Sequence, residues 1–246
     1  MRARPLDSVA ASITVIDEEL IESANVRTVA ELLEYVAGVR IISSGSRGGV
    51  SNIELRGGDP NFVLVLLDGV PLNDPTDIEG GGVNLSSLPI SSVQQIEVAR
   101  GPLSYFYGSS ALSGIINIVT RRGNSRNPQV RATIEGGGQS LFRTDASVSG
   151  LAGGADYSVG FDWEQQDGHV GDDTFEGVNF QGSFGIPVTE TGTLRLSMRA
   201  ASWKADDYPE SSGGPVFGSG ELRHAETSEF DFGADMVWDT SEAWSN

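Results

Sequence analysis

From Gln129 onward the apolar residues of this chain recur at every second position, and the spacing that marks helices is gone. In ADYSVGFDWEQ, Tyr157, Val159, Phe161 and Trp163 fall on one side of an extended chain, with Asp156, Ser158, Gly160, Asp162 and Glu164 on the other. GVNFQGSFGI puts Val178, Phe180, Phe184 and Ile186 on one side. TLRLSMRA sets Leu194, Leu196 and Met198 against Arg195, Ser197 and Arg199, and SEFDFGADMVW sets Phe230, Phe232, Met236 and Trp238 against Glu229, Asp231 and Asp235. VRATIEG and FRTDASVSG follow more weakly. Such a period demands a sheet with one apolar and one polar face.

The pattern predicts roughly six strands, each near the ~9–11 residues that cross a bilayer at a tilt. Their connections alternate in length. GLAGGAD, PVTETG and DTSEAWSN are short, whereas DGHVGDDTFEG and YPESSGGPVFGSGELRHAE are long. Short turns at one end and long loops at the other are the signature of an outer-membrane β-barrel. Trp163, Trp203, Tyr208 and Trp238 near the strand ends would form interfacial girdles. Alternation alone leaves a soluble sandwich with one wet face open.

The leading half has another texture. SITVID alternates Ile13 and Val15, with Leu20 beyond, as a strand would. TVAELLEYVAG reads as a short helix opened by a Thr28/Glu31 capping box and closed at Gly38, with Val29, Leu32, Leu33 and Val36 on its apolar face. VRII, NIELRG, FVLVLLDGVPL, VQQIEVAR and GIINIVTR read as strands, and the unbroken apolar run Phe62–Leu67 as a central strand covered on both faces. The chain thus divides into an α+β domain of small mixed sheet and short helices over 1–123, a polar linker over 124–128, and antiparallel meander strands of an incomplete barrel over 129–246.

Totals narrow the function. A net charge of −18 disfavours nucleic acid, whose phosphates need a basic face. There is no cysteine, which excludes disulfides and thiolate metal sites. No stretch approaches the roughly 18 apolar residues of a spanning helix, and MRARPLDSVAAS lacks the apolar region of a signal peptide. No nucleophile elbow, Walker loop, dinucleotide fingerprint or His-x-x-x-His pair occurs. His169 and His224 lie far apart in predicted loops and read as solvated. Arg56 and Arg100 each end an apolar strand, and a buried guanidinium there needs a partner such as the local Glu97. In the loop 167–177, Asp167, Asp172, Asp173 and Glu176 cluster, but their spacing does not match a calcium-binding loop, so a solvated acidic loop is the leading expectation and calcium the lesser one.

Four linked blocks carry a resemblance. LLEYVAGVRI, NIELRGGDPNFVLVLLDGVPLND, LSSLPISSVQQIEVARGP and YGSSALSGIINIVT resemble, in order and spacing, the plug domain of TonB-dependent outer-membrane receptors over roughly residues 8–122. LLDGVPLND and LPISSVQQIEVARGP look closer to the cobalamin-receptor group than to hydroxamate siderophore receptors. The resemblance implies that the alternating strands begin a barrel of about 22 strands. It also explains the crowded connection between QQIEVAR and GIINIVT: Gly101-Pro102 would break the strand, with Pro102 opening a helical turn. Tyr105, Phe106 and Tyr107 would then fill a small core, and the Gly108–Gly114 run would let backbones approach closely, Ser113 standing where the family often has glycine.

Several expectations follow from the resemblance. The protein would transport a metal chelate, siderophore-iron or cobalamin, through the outer membrane of a Gram-negative bacterium, without enzymatic chemistry and with TonB and outer-membrane lipid as partners. Ligand contacts would come from the outward plug loops 43–52 and 73–82, through Arg47, Ser51, Asn52, Asp74, Thr76 and Asp77. Arg56 and Arg100 would lock the plug against wall glutamates, with Glu97 as local partner. A barrel needs at least about eight strands, so the sequence reads as a truncated piece, and no TonB box is found in its first residues. A binding-only surface protein or adhesin is the alternative, and a soluble two-domain enzyme a weaker one.

Overall fold

The computed structural model describes residues 12–43, 51–74, 81–83, 85, 88–168, 173–207 and 222–238. The leading half builds β1 (Ser12–Ile16), α1 (Glu18–Ala24), α2 (Val29–Leu33), β2 (Val39–Ser43), β3 (Ser51–Leu55), β4 (Val63–Leu67), β5 (Val70–Pro71), β6 (Val93–Arg100), α3 (Ser104–Tyr107) and β7 (Gly114–Thr120). Five of these strands form a sheet in the order β1-β6-β7-β4-β5, in which β4 and β7 run parallel and the other pairs antiparallel. β2 and β3 form a separate hairpin.

β4 shows how the apolar run works. All five of its residues are buried. Side chains alternate between faces, so Val63, Val65 and Leu67 enter the larger core with Val29, Leu33, Ile53, Ile96, Val98, Ile116 and Ile118. Leu64 and Leu66 enter a smaller core on the opposite face with Ala99, Leu103, Ala111 and Ile115. A strand sandwiched this way has no polar face to show, which is why its sequence does not alternate.

The helix at Thr28 forms as its sequence predicts, with Val29, Leu32, Leu33 and Val36 buried and Gly38 at a positive φ of 79°. Thr28 Oγ1 accepts from the Glu31 amide at 3.3 Å, but the Glu31 carboxylate returns to the Arg27 amide at 2.8 Å, one residue before the capping position. Three readings are corrected. Leu20 does not continue β1; it belongs to α1 and is exposed, and in β1 it is Ile16 rather than Val15 that is buried. The helix signal was present in DEEL: Asp17 Oδ1 caps the Leu20 amide at 3.0 Å, and Glu18 and Glu19 sit in the first turn where the helix dipole favours them. Pro102 lies outside α3, whose cap is Leu103. Of the three aromatics only Tyr107 packs against the small core; Tyr105 is 91% exposed with Phe106 edge-on against it. The close approach is real at Gly114, where a Cβ would stand 2.3 Å from the Ala99 carbonyl oxygen.

The trailing half is a single antiparallel meander: β8 (Gln129–Gly136), β9 (Phe142–Ala152), β10 (Ala155–Asp167), β11 (Thr174–Pro187), β12 (Gly192–Asp207) and β13 (Arg223–Trp238), each paired with its sequence neighbour. Gly153 and Gly154 make a two-residue turn with φ of 60° and 90°, the left-handed pair that hairpins of this length require. That turn and residues 188–191 connect strands at one end; the turn 137–141 and the strand ends Asp167, Thr174, Asp207 and Arg223 lie at the other.

The sheet has its polarity reversed relative to a soluble sandwich. Phe161, Phe180, Ala200 and Phe230 stand side by side across four strands, and the three phenylalanines are 44%, 39% and 72% exposed. Phe232, Met236 and Trp238 are exposed as well. The opposite face, toward the leading half, buries Arg143, Asp145, Glu164, Asn179 and Arg199. Aromatic rings on the outside and charges within suit a wall between lipid and a polar lumen. Trp203 departs from the girdle reading: it is 3% exposed and packs inward with Phe175, Ala201 and Ala205. Tyr208 lies outside the described residues.

Candidate functional site

Three loops of the leading half converge at one end. Ser51 and Val83 exchange backbone hydrogen bonds of 3.0 and 3.1 Å, and the Asp74 amide donates to the Gly82 carbonyl at 3.0 Å. Asn73 staples this end: its Oδ1 accepts from the Val65 amide at 2.7 Å, and its Nδ2 donates to the Val63 and Gly81 carbonyls at 3.0 and 2.9 Å. Gly81 lies so close to Pro60 that a Cβ would come within 2.6 Å of its carbonyl oxygen. The structure therefore brings Ser51, Asn52 and Asp74 to a common end, with Asp74 exposed, Asn52 half-buried and Ser51 only 2% exposed. Arg47, Thr76 and Asp77 lie outside the described residues.

The loop 57–62 belongs to the same end and sequence reasoning passed over it. Asp59 Oδ1 there accepts from the Asn61 amide and side chain, each at 3.0 Å, opening a short 3-10 turn. Its signal was Gly-Gly-Asp-Pro, a turn composition directly between two strands. At the other end of β4, Asp68 accepts from the Thr120 amide at 3.0 Å and from its hydroxyl at 2.5 Å, fixing the end of β7.

The arginines ending apolar strands differ. Arg100 is 6% exposed and donates to the Thr14 hydroxyl and the Ala37 carbonyl, both at 2.7 Å. Burial, and then the nearby Arg56, push its pKa down. Its Nε has no partner among the described residues. Arg56 is exposed, at a positive φ of 52°. Glu97 does not meet Arg100: it accepts from Gln95 at 2.7 Å and Asn117 at 3.0 Å. Next to it, burial and the Glu97 charge hold the Tyr107 phenol above its ordinary pKa.

The leading half is fastened to the sheet by charges. Arg143 of β9 donates to the Arg27 carbonyl at 3.1 Å and pairs with Asp162 at 3.3 Å. Arg121 and Arg131 both pair with Glu18 of α1. Along the inner face Arg199 pairs with Glu229 and Asp231 at 2.8 and 2.9 Å, and Arg195 with Asp156 at 3.5 Å. Val70 abuts Gly233 so closely that a Cβ there would lie 2.4 Å from its Cγ2.

At the long-loop end, Glu176 accepts weakly from the Trp163 indole at 3.4 Å, and His224 Nδ1 lies 2.5 Å from Asp206. Asp167 and Asp173 are described; Asp172 and His169 are not. Among the described residues no group of three or more acidic or histidine side chains gathers as metal ligands would.

A small mixed-sheet domain seated against the charged inner face of an apolar-outside meander defines a class: an outer-membrane barrel wall with an internal plug. Residues 5–115 match the family profile of the TonB-dependent Receptor Plug Domain. The vitamin B12 transporter BtuB of Vibrio vulnificus is 33% identical over 65% of this chain and 27% of its own length. The ferric yersiniabactin uptake receptor FyuA of Yersinia pestis superposes with a TM-score of 0.65 at 25% identity, over 83% of this chain and 33% of that one. Pyoverdine-bound FpvA of P. aeruginosa shares the fold over 96% of this chain and 32% of its own, at a TM-score of 0.78 and 13% identity. By this match the leading half is a TonB-dependent receptor plug domain, the trailing sheet shares the fold of the wall in such receptors, and the chain spans about a quarter of the length of the curated relative. The relatives named here include a transporter and an uptake receptor.

Proposed function

We propose that the receptor to which this chain belongs takes up a metal chelate, cobalamin or a ferric siderophore, across the outer membrane of a Gram-negative bacterium. The plug closes the lumen. Its convergent loop end offers the ligand the amide of Asn52 and the carboxylate of Asp74, and Arg47, Thr76 and Asp77, which lie outside the described residues, are proposed to add guanidinium, hydroxyl and carboxylate groups. Such a set suits a large polar complex that needs many hydrogen bonds rather than an apolar pocket. TonB supplies the energy from the inner membrane. Passage requires the ligand to contact the loop end differently before and after the plug moves, because only differential affinity shifts a conformational equilibrium.

The observation that carries this reading is the reversed polarity of the sheet around a plug whose sequence matches the receptor family. The relationship to a vitamin B12 transporter at 33% identity supports cobalamin as the first ligand to test. The experiment is equilibrium binding to the full-length receptor in detergent, with cyanocobalamin, a ferric catecholate and a ferric hydroxamate as probes. One probe is expected to bind, and the double variant Asn52→Ala, Asp74→Ala to weaken it roughly tenfold, the loss of one or two hydrogen bonds. Absence of binding by all three probes would overturn the ligand class. Binding without uptake into cells carrying TonB would instead make the protein a surface binder.

A further inference from the structure

On the side facing the wall, the first helix of the plug is held by ion pairs. In α1, Glu18 and Glu22 are four residues apart and so project from one helix face. Both meet the same two arginines. Arg121, the residue after the plug's last strand, pairs with Glu18 and lies 3.8 Å from Glu22; Arg131, in the first wall strand, lies 2.9 Å from Glu18 and 4.0 Å from Glu22. One glutamate pair thus ties together the plug's entry, its exit and the wall. The only α1 side chain buried in the apolar core is Ile21, while Leu20 is exposed. A seven-residue helix has no stability of its own.

The two arginines differ in what they lose if α1 departs. Arg131 is about half exposed and can turn into solvent. Arg121 has a side chain only 9% exposed, and its remaining bond is from Nε to the Ser91 carbonyl at 2.8 Å. A buried guanidinium stripped of its carboxylate is strongly disfavoured. For the next residue, Arg122, burial and then the nearby Arg195 push the pKa down, opposed in part by Asp68, Asp156 and Glu97. The exit of the plug is tied to the wall by the backbone as well, where the Leu151 amide of β9 donates to the Ser125 carbonyl at 2.8 Å, a bond that does not involve α1.

We propose that α1 is an electrostatic latch: Glu18 and Glu22 clasp Arg121 and Arg131, the latch opens without disturbing β6 and β7, and the unpaired Arg121 drives it shut. The proposal goes beyond the transport reading and does not depend on which ligand the receptor takes.

Hydrogen exchange followed by mass spectrometry on the full-length receptor in lipid nanodiscs tests it, with peptides covering α1 and peptides covering β6–β7 read separately. In the wild type, raising salt from low to molar concentration is expected to speed exchange in α1 and leave β6–β7 unchanged. Arg131→Gln and the double variant Glu18→Gln, Glu22→Gln are expected to speed α1 exchange at low salt, the double variant by roughly tenfold, the size of a partly buried ion-pair network, and only the double variant, which removes both carboxylates, to abolish the salt response. Arg40→Gln, which removes the exposed pair with Glu54, should change neither peptide. Unaltered α1 exchange in both variants would overturn the latch. So would equal acceleration of α1 and β6–β7, which would show one cooperative unit instead.

Discussion

Gly114 shows what a single residue contributes to this architecture. Its φ is 152°, and the space a Cβ would fill is taken by the Ala99 carbonyl and by Leu55 Cδ1 at 2.7 Å. A valine there must push β6 from β7, so Gly114→Val is expected to destabilise the plug by roughly 2–4 kcal/mol through overpacking and strain. Chemical denaturation of the full-length receptor, followed by exchange at β7, measures it. Asn73 acts by hydrogen bonds rather than by shape. Asn73→Ala removes three bonds that tie β4 to the loop end, and leaves the Val65 amide without its acceptor at a cost of roughly 1–3 kcal/mol. Faster exchange at Val65 with no change in α2 is the expected result.

At the scale of elements, each wall strand carries two instructions on alternating, adjacent residues. Phe180 stands outward, whereas its neighbour Asn179 is buried on the inner face. An arginine in place of Phe180 faces hydrocarbon, and Phe180→Arg is expected to reduce folding stability in lipid vesicles by roughly 2–4 kcal/mol if the site lies near the bilayer midplane. Thr227→Lys, opposite Trp203 on the lumen side and two residues from Glu229, should be accommodated. The same reasoning accounts for Trp203. It was read as a girdle residue because it is aromatic and near a strand end, but parity with Arg199 and Ala201 sends it inward, and parity outranks residue type in a sheet.

For the whole molecule, polarity decides the solvent. A face with Phe161, Phe180, Phe230, Phe232 and Trp238 exposed together exceeds what a water-soluble monomer tolerates. The chain is accordingly expected to partition into the detergent phase on phase separation and to sediment as aggregates when detergent is withdrawn. A monodisperse species in plain buffer would contradict the wall assignment. The charged inner face needs the plug as much as the outer face needs lipid: Arg143 reaches the Arg27 carbonyl, and Arg131 reaches Glu18.

Much of this was legible because period and punctuation are local. Alternation after Gln129 set the six wall strands and their outward residues, the unbroken run at β4 announced burial on both faces, and Thr28 with Gly38 bounded α2. What the chain alone left undecided were pairings over long separations. Glu97 satisfies amides rather than Arg100, Tyr105 stays in the open while Tyr107 is covered, and residues 18 and 131 meet across 113 positions. A side chain's partner is set by which elements pack beside it, and that packing is a property of the assembled plug and wall.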